Sequence, residues 1–411
     1  MRIVSASDRK AVAALAARDE ARRPDVERQA ARIIRDVRRR GDAAVRDWTR
    51  RLDGRSAPVR PIGAAALRQG WAKTPRDVRR AIALAVSHLE RVSAGQVPRG
   101  FTVTVAPGVR IEQRVQPLAR VGCYVPGGRY PLPSTLVMTV VPARVAGVRD
   151  VVVVCPRPAP VVLAAALEAG ASELFAIGGA QAVAALAYGT RAIERVDKIV
   201  GPGNAWVAAA KAQVSRDCAI DLHAGPSEIV IWSDRGRPEW IAADLLAQAE
   251  HDPAARAILV TTKASLARDV AREVDRQMPA AGPARASIAR NGAIVVTSGR
   301  KAAAALVNTL APEHLVVDSA ADADLVRTAG TVFVGPWSAQ AAGDYGTGSN
   351  HVLPTGGAGR FRGGLGAADF VRVFNVQTLT RVGIRRIGSS VVTLAEAEGL
   401  EAHAASVRLR L

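Results

Sequence analysis

The sequence has few aromatic residues, few cysteines and no long apolar run. Aromatic side chains make up 4% of its 411 residues, and they do not interleave with the arginines as the stacking platforms of nucleic-acid-binding surfaces do. No apolar run approaches the ~20 residues that a membrane-spanning helix needs. The cysteines, Cys123, Cys155 and Cys218, are odd in number and far apart, which predicts reduced thiols rather than a disulfide framework.

The start of the chain gives no sign of export. The segment from Met1 to Asp8 lacks the apolar core of a secretory signal peptide. Reduced cysteines are typical of the cytoplasm, where thiols are kept from forming disulfides. We therefore expect a cytoplasmic protein with no membrane partner.

The formal net charge is +19, and an excess of basic residues is also found in nucleic-acid-binding proteins. The arginines are spread along the whole chain, with dense stretches at 22–40 and 76–91 in segments that are predicted to be helical. No zinc-finger spacing or RNA-binding signature accompanies them. The alternatives are a nucleic-acid binder and a chain whose arginines lie on solvated helix faces. Charge alone affects solubility and nonspecific binding, so we favour the second and expect no nucleic-acid partner.

The length exceeds what one hydrophobic core normally holds, so two or more domains are expected. Hydrophobic residues make up 49% of the chain, with much alanine and valine, which suits α/β packing. The first hundred residues are predicted to be helical, and the tail after residue 370 helical or irregular. Between them, strands alternate with helices in two series, which predicts parallel sheets with crossover helices. The predicted strands are 121–124, 151–155, 173–177 and 198–200, then 228–232, 257–261, 293–297, 315–317 and 331–334, preceded by strand-like segments at 101–105 and 109–115.

Three glycine-rich turns follow strands of the first series, and open parallel sheets bind ligands at the carboxyl ends of their strands. Glycines at such turns let backbone N–H groups approach a phosphate at a helix N-terminus. None of the turns has the complete Gly-x-Gly-x-x-Gly fingerprint, and each alone could be an ordinary strand-to-helix turn. Because three such turns follow one another, a nucleotide-binding site and a set of ordinary strand-to-helix turns are equally favoured. The turns are Tyr124-Val-Pro-Gly-Gly128, Gly178-Gly-Ala-Gln181 and Gly201-Pro-Gly-Asn204.

Four of the six histidines lie beside other groups that carry out acid–base or metal chemistry. Gln248 and His251 are three residues apart near the end of a predicted helix, so both project from one face, either into a metal site or into solvent. Glu313 and His314 precede a predicted strand. They could serve two separate proton transfers or form a solvent-facing pair.

The other two of these histidines lie in polar segments near the end of the chain. Asp344 and His351 flank a loop rich in glycine, serine and asparagine that is too polar for core packing and too short for a linker. His403 ends the segment Glu398-Gly-Leu-Glu-Ala-His403. His88, in contrast, lies among arginines in a predicted helix, and we expect it to be a surface residue outside any metal site.

The order of these motifs resembles the histidinol dehydrogenase family over essentially the whole chain. Each motif is weak alone, whereas the complete series in family order is highly specific. In chain order the motifs are Tyr-Val-Pro-Gly-Gly, Ile-Gly-Gly-Ala-Gln-Ala, Gly-Pro-Gly-Asn, Ala-Gly-Pro-Ser-Glu at 224–228, Gln-Ala-Glu-His, Ala-Pro-Glu-His-Leu, Ala-Gly-Asp-Tyr with Asn-His-Val-Leu-Pro-Thr, and Glu-Gly-Leu-Glu-Ala-His.

The resemblance implies an oxidoreductase that converts L-histidinol, through L-histidinaldehyde, to L-histidine in the last step of histidine biosynthesis. It implies NAD as the hydride acceptor and one zinc ion per subunit. Arg129-Tyr130 in the cofactor-side loop also resembles relatives that oxidise other alcohols. The alternative is therefore a related enzyme that acts on another small polar alcohol.

The resemblance also implies roles for the residues at the matching positions of the family motifs. Glu313 and His314 are the implied acid–base pair. The implied zinc ligands are Gln248, His251, Asp344 and His403, and the implied NAD contacts are Tyr124, Gln181 and Asn204. The implied substrate contacts are Ser227, Gln248, His251, His314, Asp344, His351, Glu398 and His403.

The family architecture is an α/β fold with two Rossmann-like parallel-sheet domains, helices on both faces, and small helical N- and C-terminal segments. On this pattern, residues 1–20 form the N-terminal segment, and residues 21–120 with 227–369 form the large domain that carries the metal and catalytic residues. Residues 121–226 form the NAD-side domain. Residues 370–411 form a C-terminal domain of a homodimer, which contributes to the partner's active site.

Overall fold

The computed structural model describes residues 1–17, 23–54, 58–127, 130–222 and 225–411. Gly128, Arg129 and Ala224, which belong to the sequence motifs, lie outside these residues. The strands are β1 (Arg2–Ser5), β2 (Phe101–Ala106), β3 (Val109–Pro117), β4 (Arg120–Tyr124), β5 (Asp150–Val154), β6 (Glu173–Phe175), β7 (Lys198–Val200), β8 (Ala219–Ile220), β9 (Glu228–Trp232), β10 (Arg256–Thr261), β11 (Ala293–Val296), β12 (His314–Val317), β13 (Thr331–Val334) and β14 (Val371–Leu379).

Helices connect most of these strands. None of the helices in the described ranges is both long and apolar enough to cross a membrane. The α-helices are α1 (Arg9–Ala16), α2 (Pro24–Arg40), α3 (Asp42–Asp53), α4 (Ala64–Lys73), α5 (Arg76–Gln96), α6 (Pro133–Val145), α7 (Pro160–Ala169), α8 (Gly179–Tyr188), α9 (Ala205–Val214), α10 (Pro238–Ala249), α11 (Ala264–Gln277), α12 (Ala284–Asn291), α13 (Arg300–Leu310), α14 (Ala320–Ala323), α15 (Gln340–Tyr345), α16 (Arg381–Ala397) and α17 (Glu401–Arg408), with short 3₁₀ helices at Ala358–Arg360 and Ala367–Phe370.

The first βα series forms a five-stranded parallel sheet in the order β6-β5-β4-β7-β8. Side chains alternate between two core clusters along β5: Val151 and Val153 belong to one cluster, and Val152 and Val154 to the other. Both faces of the sheet are therefore buried. Burial on both faces explains why the strand is a continuous apolar run rather than an alternating one.

The second series forms a six-stranded parallel sheet in the order β1-β11-β10-β9-β12-β13. Leaving aside β1, its strands follow the same order as those of the first sheet, with the first strand of the series in the middle. In both sheets the chain moves outward on one side and then returns to the other side of the first strand, as in dinucleotide-binding folds. The predicted α/β class with two helix-flanked parallel sheets is confirmed.

The two ends of the chain contain strands that the sequence did not predict. The C-terminal segment begins with β14, which pairs antiparallel with β3 along its whole length and makes a three-stranded sheet in the order β14-β3-β2. The N-terminal segment begins with β1, which pairs with β11 at the edge of the six-stranded sheet. The terminal segments were predicted to be helical, or helical or irregular for the tail, and the structure adds one strand to each. Each strand pairs with a partner more than 200 residues away in sequence, so local sequence does not reveal the pairing.

The helices between residues 24 and 96 pack against the five-stranded sheet. Helices α2 and α3 contact α8 and α9, and α4 and α5 contact α6 and α7. The apolar stripe of α2, from Val26 to Val37, is buried in the same core cluster as Phe175. Grouping residues 21–120 with 227–369 therefore does not match the packing. An amphipathic stripe shows that a helix is covered, but it does not show which sheet covers it.

Candidate active site

The predicted acid–base pair lies at the amino end of β12 in the six-stranded sheet, beside the amino end of the neighbouring strand β9. His314 is the first residue of β12 and pairs with Ile229 of β9, while Glu313 directly precedes it. Ala311, in the turn before Glu313, is the only non-glycine residue of the described chain with a positive φ, at 47°. Parallel sheets usually bind ligands at the opposite, carboxyl edge. In this half of the molecule the candidate pair lies at the amino edge instead.

Glu313 is buried and held through one carboxylate oxygen. Its Oε2 accepts a hydrogen bond from Ser227 Oγ at 2.6 Å and another from the backbone N–H of Glu228 at 2.8 Å. Burial raises the pKa of the Glu313 carboxyl to about 8, although both hydrogen bonds oppose that shift. Glu313 therefore retains its proton to a higher pH than an exposed glutamate does.

His314 is buried with one ring nitrogen fixed and the other unpaired. Nδ1 lies 3.1 Å from the carbonyl oxygen of Glu228 and donates to it, since a carbonyl can only accept. Nε2 is buried and has no hydrogen-bond partner among the described residues. Burial lowers the pKa of the imidazole. The ring is therefore neutral near pH 7, with the lone pair of Nε2 available to accept a proton.

Gln248 and His251 lie at the end of α10, beside this pair. The Gln248 side chain is fully buried at 0% exposure, and its Nε2 donates to Ser227 Oγ. Its Oε1 is buried without a hydrogen-bond partner among the described residues. His251 is exposed and follows Gln248 by three residues. Gln248 therefore lies beside the acid–base pair, while the His251 side chain is open to solvent at the end of the same helix.

Asp344 completes the polar face of the site from α15. Its Oδ1 lies 3.9 Å from His314 Nε2 and 3.8 Å from His351 Nδ1. The Nδ1 of His351 also lies 3.1 Å from the backbone oxygen of Asp344 and donates to it. Gln340, one turn earlier on α15, donates from Nε2 to Asp344 Oδ2 at 2.8 Å. These contacts fix the carboxylate, so that Oδ1 faces both imidazoles.

Two of the predicted site residues lie on the exposed C-terminal helices. Glu398 directly follows α16 as its C-cap, His403 lies on α17, and both side chains are exposed. The part of the chain that is described contains no group of three or more His, Cys, Asp or Glu side chains arranged to hold a metal ion. Within one subunit, therefore, His403 does not join His251 and Asp344 in such a group.

The predicted NAD-side residues lie at the carboxyl ends of the five-stranded sheet. The Tyr124 hydroxyl accepts from the backbone N–H of Gly179 at 3.0 Å, and burial raises its pKa to about 12. Gln181 is 1% exposed, and neither polar atom of its amide has a hydrogen-bond partner in the described ranges. Asn204 caps α9 through Oδ1, which accepts from the backbone N–H groups of Trp206 and Val207 at 3.1 Å.

The turn after β7 is held against Tyr124 by a buried ion pair. Lys211 pairs with Asp221; Lys211 Nζ donates to the Gly201 oxygen at 2.8 Å, and Asp221 Oδ2 accepts from the Gly201 N–H at 2.6 Å. Gly201 has a φ of +108°, and a Cβ there would lie 2.2 Å from the backbone carbonyl oxygen of Tyr124. The turn lies so close to the end of the neighbouring strand β4 that only glycine fits at this position.

The cysteines take no part in this chemistry. All are buried, and burial raises the pKa of the Cys123 and Cys218 thiols to about 12 and that of Cys155 to about 11. A thiol with a raised pKa is a poor nucleophile, because the thiolate is the reactive form. The prediction of structural, reduced cysteines is consistent with this burial.

Comparison with known proteins assigns this chain to a family. A family model described as histidinol dehydrogenase matches residues 16–411. The chain belongs to the histidinol dehydrogenase family. It is 45% identical to histidinol dehydrogenase from Syntrophotalea carbinolica over 427 residues, which cover 100% of this chain and 99% of the relative. It is 45% identical to histidinol dehydrogenase from Methanothermobacter thermautotrophicus over 400 residues, which cover 94% of each.

A solved structure agrees with this assignment. The crystal structure of histidinol dehydrogenase from Elizabethkingia anophelis matches with a TM-score of 0.94 at 31% identity, covering 100% of this chain and 98% of that chain. Histidinol dehydrogenases catalyse histidinol oxidation in histidine biosynthesis, so the chain is an oxidoreductase. The family prediction from the motif series is confirmed.

Sequence reasoning missed Gln340 and the backbone of Glu228. Gln340 lies four residues before Asp344 on the same helix, and this spacing is a recognisable signal for a hydrogen bond between the two side chains. Glu228 acts on both members of the acid–base pair through its main chain, donating to Glu313 and accepting from His314. Main-chain roles of this kind leave no mark on residue type.

The raised pKa of Glu313 predicts a pH-dependent stability difference. Between about 4.5 and about 8, the folded chain retains a proton that the unfolded chain has lost. The free energy of unfolding of the metal-free protein should therefore fall with rising pH over this range, relative to a Glu313→Gln variant. Urea denaturation of both proteins at several pH values, with a chelator present, measures the difference. A difference in unfolding free energy between the two proteins that stays constant with pH would contradict a raised pKa for the buried Glu313 carboxyl.

Proposed function

We propose that this chain oxidises L-histidinol through L-histidinaldehyde to L-histidine, with NAD accepting a hydride in each of two steps and with zinc at the active site. One observation carries the proposal: His314 is buried and neutral with an unpaired Nε2, and its other ring nitrogen, Nδ1, lies 3.6 Å from Oε2 of the buried Glu313. The chain holds both residues with its own backbone and with Ser227. Such a pair supplies one base for a hydroxyl proton and a second for water.

The residues present fit a divalent metal ion. Gln248 Oε1 is a buried oxygen without a hydrogen-bond partner in the described chain, and Asp344 Oδ1 lies 3.9 Å from His314 Nε2. His251 follows Gln248 by three residues at the end of α10. Oxygen donors and imidazole nitrogen suit zinc and other divalent first-row ions. We propose that Gln248, His251 and Asp344 hold one zinc ion per subunit together with His403. When bound, zinc would orient the substrate and stabilise negative charge on its oxygen.

His314 acts as the base for alcohol oxidation. The substrate hydroxyl gives its proton to Nε2 as the alcohol becomes an aldehyde. NAD, when bound, would supply the hydride acceptor that this oxidation needs. Nδ1 stays bonded to the Glu228 oxygen throughout, which keeps Nε2 directed at the substrate. The Asp344 carboxylate, 3.9 Å from Nε2, stabilises the imidazolium that forms.

Glu313 acts on water in the second oxidation. The aldehyde must add water before it can lose a second hydride, and a carboxylate can take a proton from the attacking water. Ser227 and the Glu228 N–H hold Oε2 in place, so the carboxylate is oriented before water arrives. Burial excludes bulk water and strengthens the carboxylate as a base once it is ionised.

The remaining contacts recognise the two ends of the substrate and the cofactor. Histidinol carries an ammonium group and an imidazole, which carboxylates and the ring nitrogens of histidines can bind. We propose Tyr124, Gln181 and Asn204 as NAD contacts, because they lie together at the carboxyl edge of the five-stranded sheet. The proposed substrate contacts are Ser227, Gln248, His251, His314, Asp344, His351, Glu398 and His403.

We propose that the protein is a cytoplasmic homodimer in which the C-terminal helices complete the partner's site. The three-stranded sheet and α16 carry several exposed apolar side chains, and exposed apolar surface of this kind marks interaction sites when it is contiguous. A second copy would cover this surface and bring Glu398 and His403 of one subunit to the other. The exposed apolar side chains are Phe101, Val103, Val105, Val373, Leu379, Val382 and Leu394.

Mixed dimers test this arrangement. A His314→Gln variant and a His403→Ala variant should each be inactive alone, and His403→Ala should also lose zinc. Coexpression of the two should restore about a quarter of parental activity, because half of the dimers are mixed and each mixed dimer has one intact site. Steady-state NADH formation measures the recovery, and a pair of variants that both alter His314 is the matched control. No recovery in mixed dimers would show that His403 serves its own subunit or no site at all.

Complementation tests the proposed substrate. Expression in a histidine auxotroph that lacks the last biosynthetic step should restore growth without histidine, and a His314→Gln variant should not. Failure to grow, together with no NADH formed from histidinol, would favour another small polar alcohol. A panel of such alcohols scored by kcat/KM would then identify it, since specificity is a difference in transition-state binding.

A further inference from the structure

The His88 side chain makes a hydrogen bond to the loop that follows Asp344. It lies on α5, and its Nδ1 is 2.6 Å from the carbonyl oxygen of Gly346, so the ring donates this hydrogen bond. The side chain is partly buried, which corrects the expectation of a surface residue. Gly346 directly follows α15, the helix of Asp344, as its C-cap. The bond therefore satisfies a carbonyl at a helix end, where helices lack internal partners.

The same loop lies directly against the backbone of α5. Gly348 has a φ of +84°, and a Cβ at this position would lie 2.5 Å from the His88 oxygen and 3.0 Å from Val92 Cγ2. Two residues later, Asn350 is buried and donates from Nδ2 to the Met138 oxygen at 2.7 Å. The loop is therefore attached to α5 at one end and to α6 at the other.

These attachments link the two halves of the molecule at the site. Helices α5 and α6 pack with the five-stranded sheet, whereas Asp344 and His351 face His314 of the six-stranded sheet. The loop from 345 to 350 is the connection between Asp344 and His351. Fixing it to α5 and α6 restricts how far those two side chains can move apart or away from His314.

We propose that His88 is a positioning residue, which holds the loop so that Asp344 is preorganised as a metal ligand and His351 as a substrate contact. The inference rests on the proposed zinc-dependent function of the same site. Groups that orient metal ligands without touching the metal commonly change metal affinity by ~10–100-fold when they are removed. His88 reaches Asp344 through the helix end rather than through the carboxylate itself.

The test compares two replacements of His88. His88→Asn keeps an N–H donor near the position of Nδ1, whereas His88→Leu keeps apolar bulk and removes the donor. Zinc affinity is measured by competition with a chromophoric chelator, and the mobility of residues 345–351 by hydrogen exchange of the metal-free protein. We expect His88→Leu to weaken zinc binding by at least ~10-fold and to speed exchange in the loop, and His88→Asn to stay within ~3-fold of the parent.

Two further variants separate positioning from general destabilisation. Val86→Ala removes buried apolar bulk from the same helix and should lower the Tm without changing zinc affinity. Gly348→Ala forces the loop off α5 while leaving His88 intact, and should weaken zinc binding as His88→Leu does. If His88→Leu fails to fold, the zinc affinity of Gly348→Ala tests the same attachment of the loop to α5.

Equal zinc affinities for the parent and His88→Leu would overturn the inference, as would equal losses for His88→Leu and Val86→Ala. A parent protein that neither binds zinc nor forms NADH from histidinol would instead overturn the proposed function. In that case the hydrogen-exchange comparison still shows whether His88 orders the loop.

Discussion

Replacement of His314 with glutamine is expected to lower kcat for histidinol oxidation by ~10²–10⁴-fold. Glutamine can keep a polar contact near the Glu228 oxygen, but it cannot accept the hydroxyl proton at the position of Nε2. The loss should be the same with histidinaldehyde as substrate if His314 is the base in both oxidations. Steady-state NADH formation gives kcat, and the zinc content of the variant shows whether the metal is retained.

Phe333→Leu is the matched control for this variant. The Phe333 ring stacks on His314, with ring centroids 6.2 Å apart, so its removal disturbs the packing of the imidazole without removing a proton acceptor. We expect a loss of less than ~10-fold. A comparable loss in both variants, or a His314→Gln enzyme within a few-fold of the parent, would show that His314 is not the base.

Replacement of Glu313 with glutamine is expected to separate the two oxidations. Glutamine keeps the size of the side chain and an oxygen that can accept from Ser227 and the Glu228 N–H, but it removes basicity. The first hydride transfer requires no activated water and should continue, whereas hydration of the aldehyde should stop. In a single turnover the variant should form one NADH per site where the parent forms two.

The control for Glu313→Gln supplies histidinaldehyde directly. The variant should then form almost no NADH, while its first-step rate from histidinol stays near that of the parent. Two NADH per site at the parental rate would show that another group activates water. Equal slowing of both steps would show that Glu313 and His314 share one proton network, whose pKa values belong to the pair.

The positions of strands in both parallel sheets could be predicted from the sequence, because each strand is marked by its own run of apolar residues. Strands buried on both faces require continuous apolar runs, and β4, β5 and β9 to β12 all have them. The partner of β14 lies on β3, and that of β1 lies on β11. Nothing near either segment in sequence indicates that pairing, and both strands are largely exposed.

The candidate site could be predicted by residue type but not by its location in the fold. Glu313, His314 and Gln248 were recognisable from their motifs, yet the rule for open parallel sheets placed ligands at the carboxyl edge. In the six-stranded sheet the side chains instead meet at the amino edge, because Ser227 and Glu313 precede β9 and β12. The contact between His88 and Gly346 joins residues 258 positions apart, and no local pattern encodes it.

The stoichiometry of histidinol oxidation tests the central claim most directly. Limiting L-histidinol is incubated to completion with the purified zinc-loaded protein and excess NAD, and NADH and L-histidine are quantified together. We expect two NADH and one L-histidine per L-histidinol, since an alcohol loses two hydrides on its way to a carboxylate. No NADH from histidinol, or one NADH with the aldehyde as the final product, would contradict it.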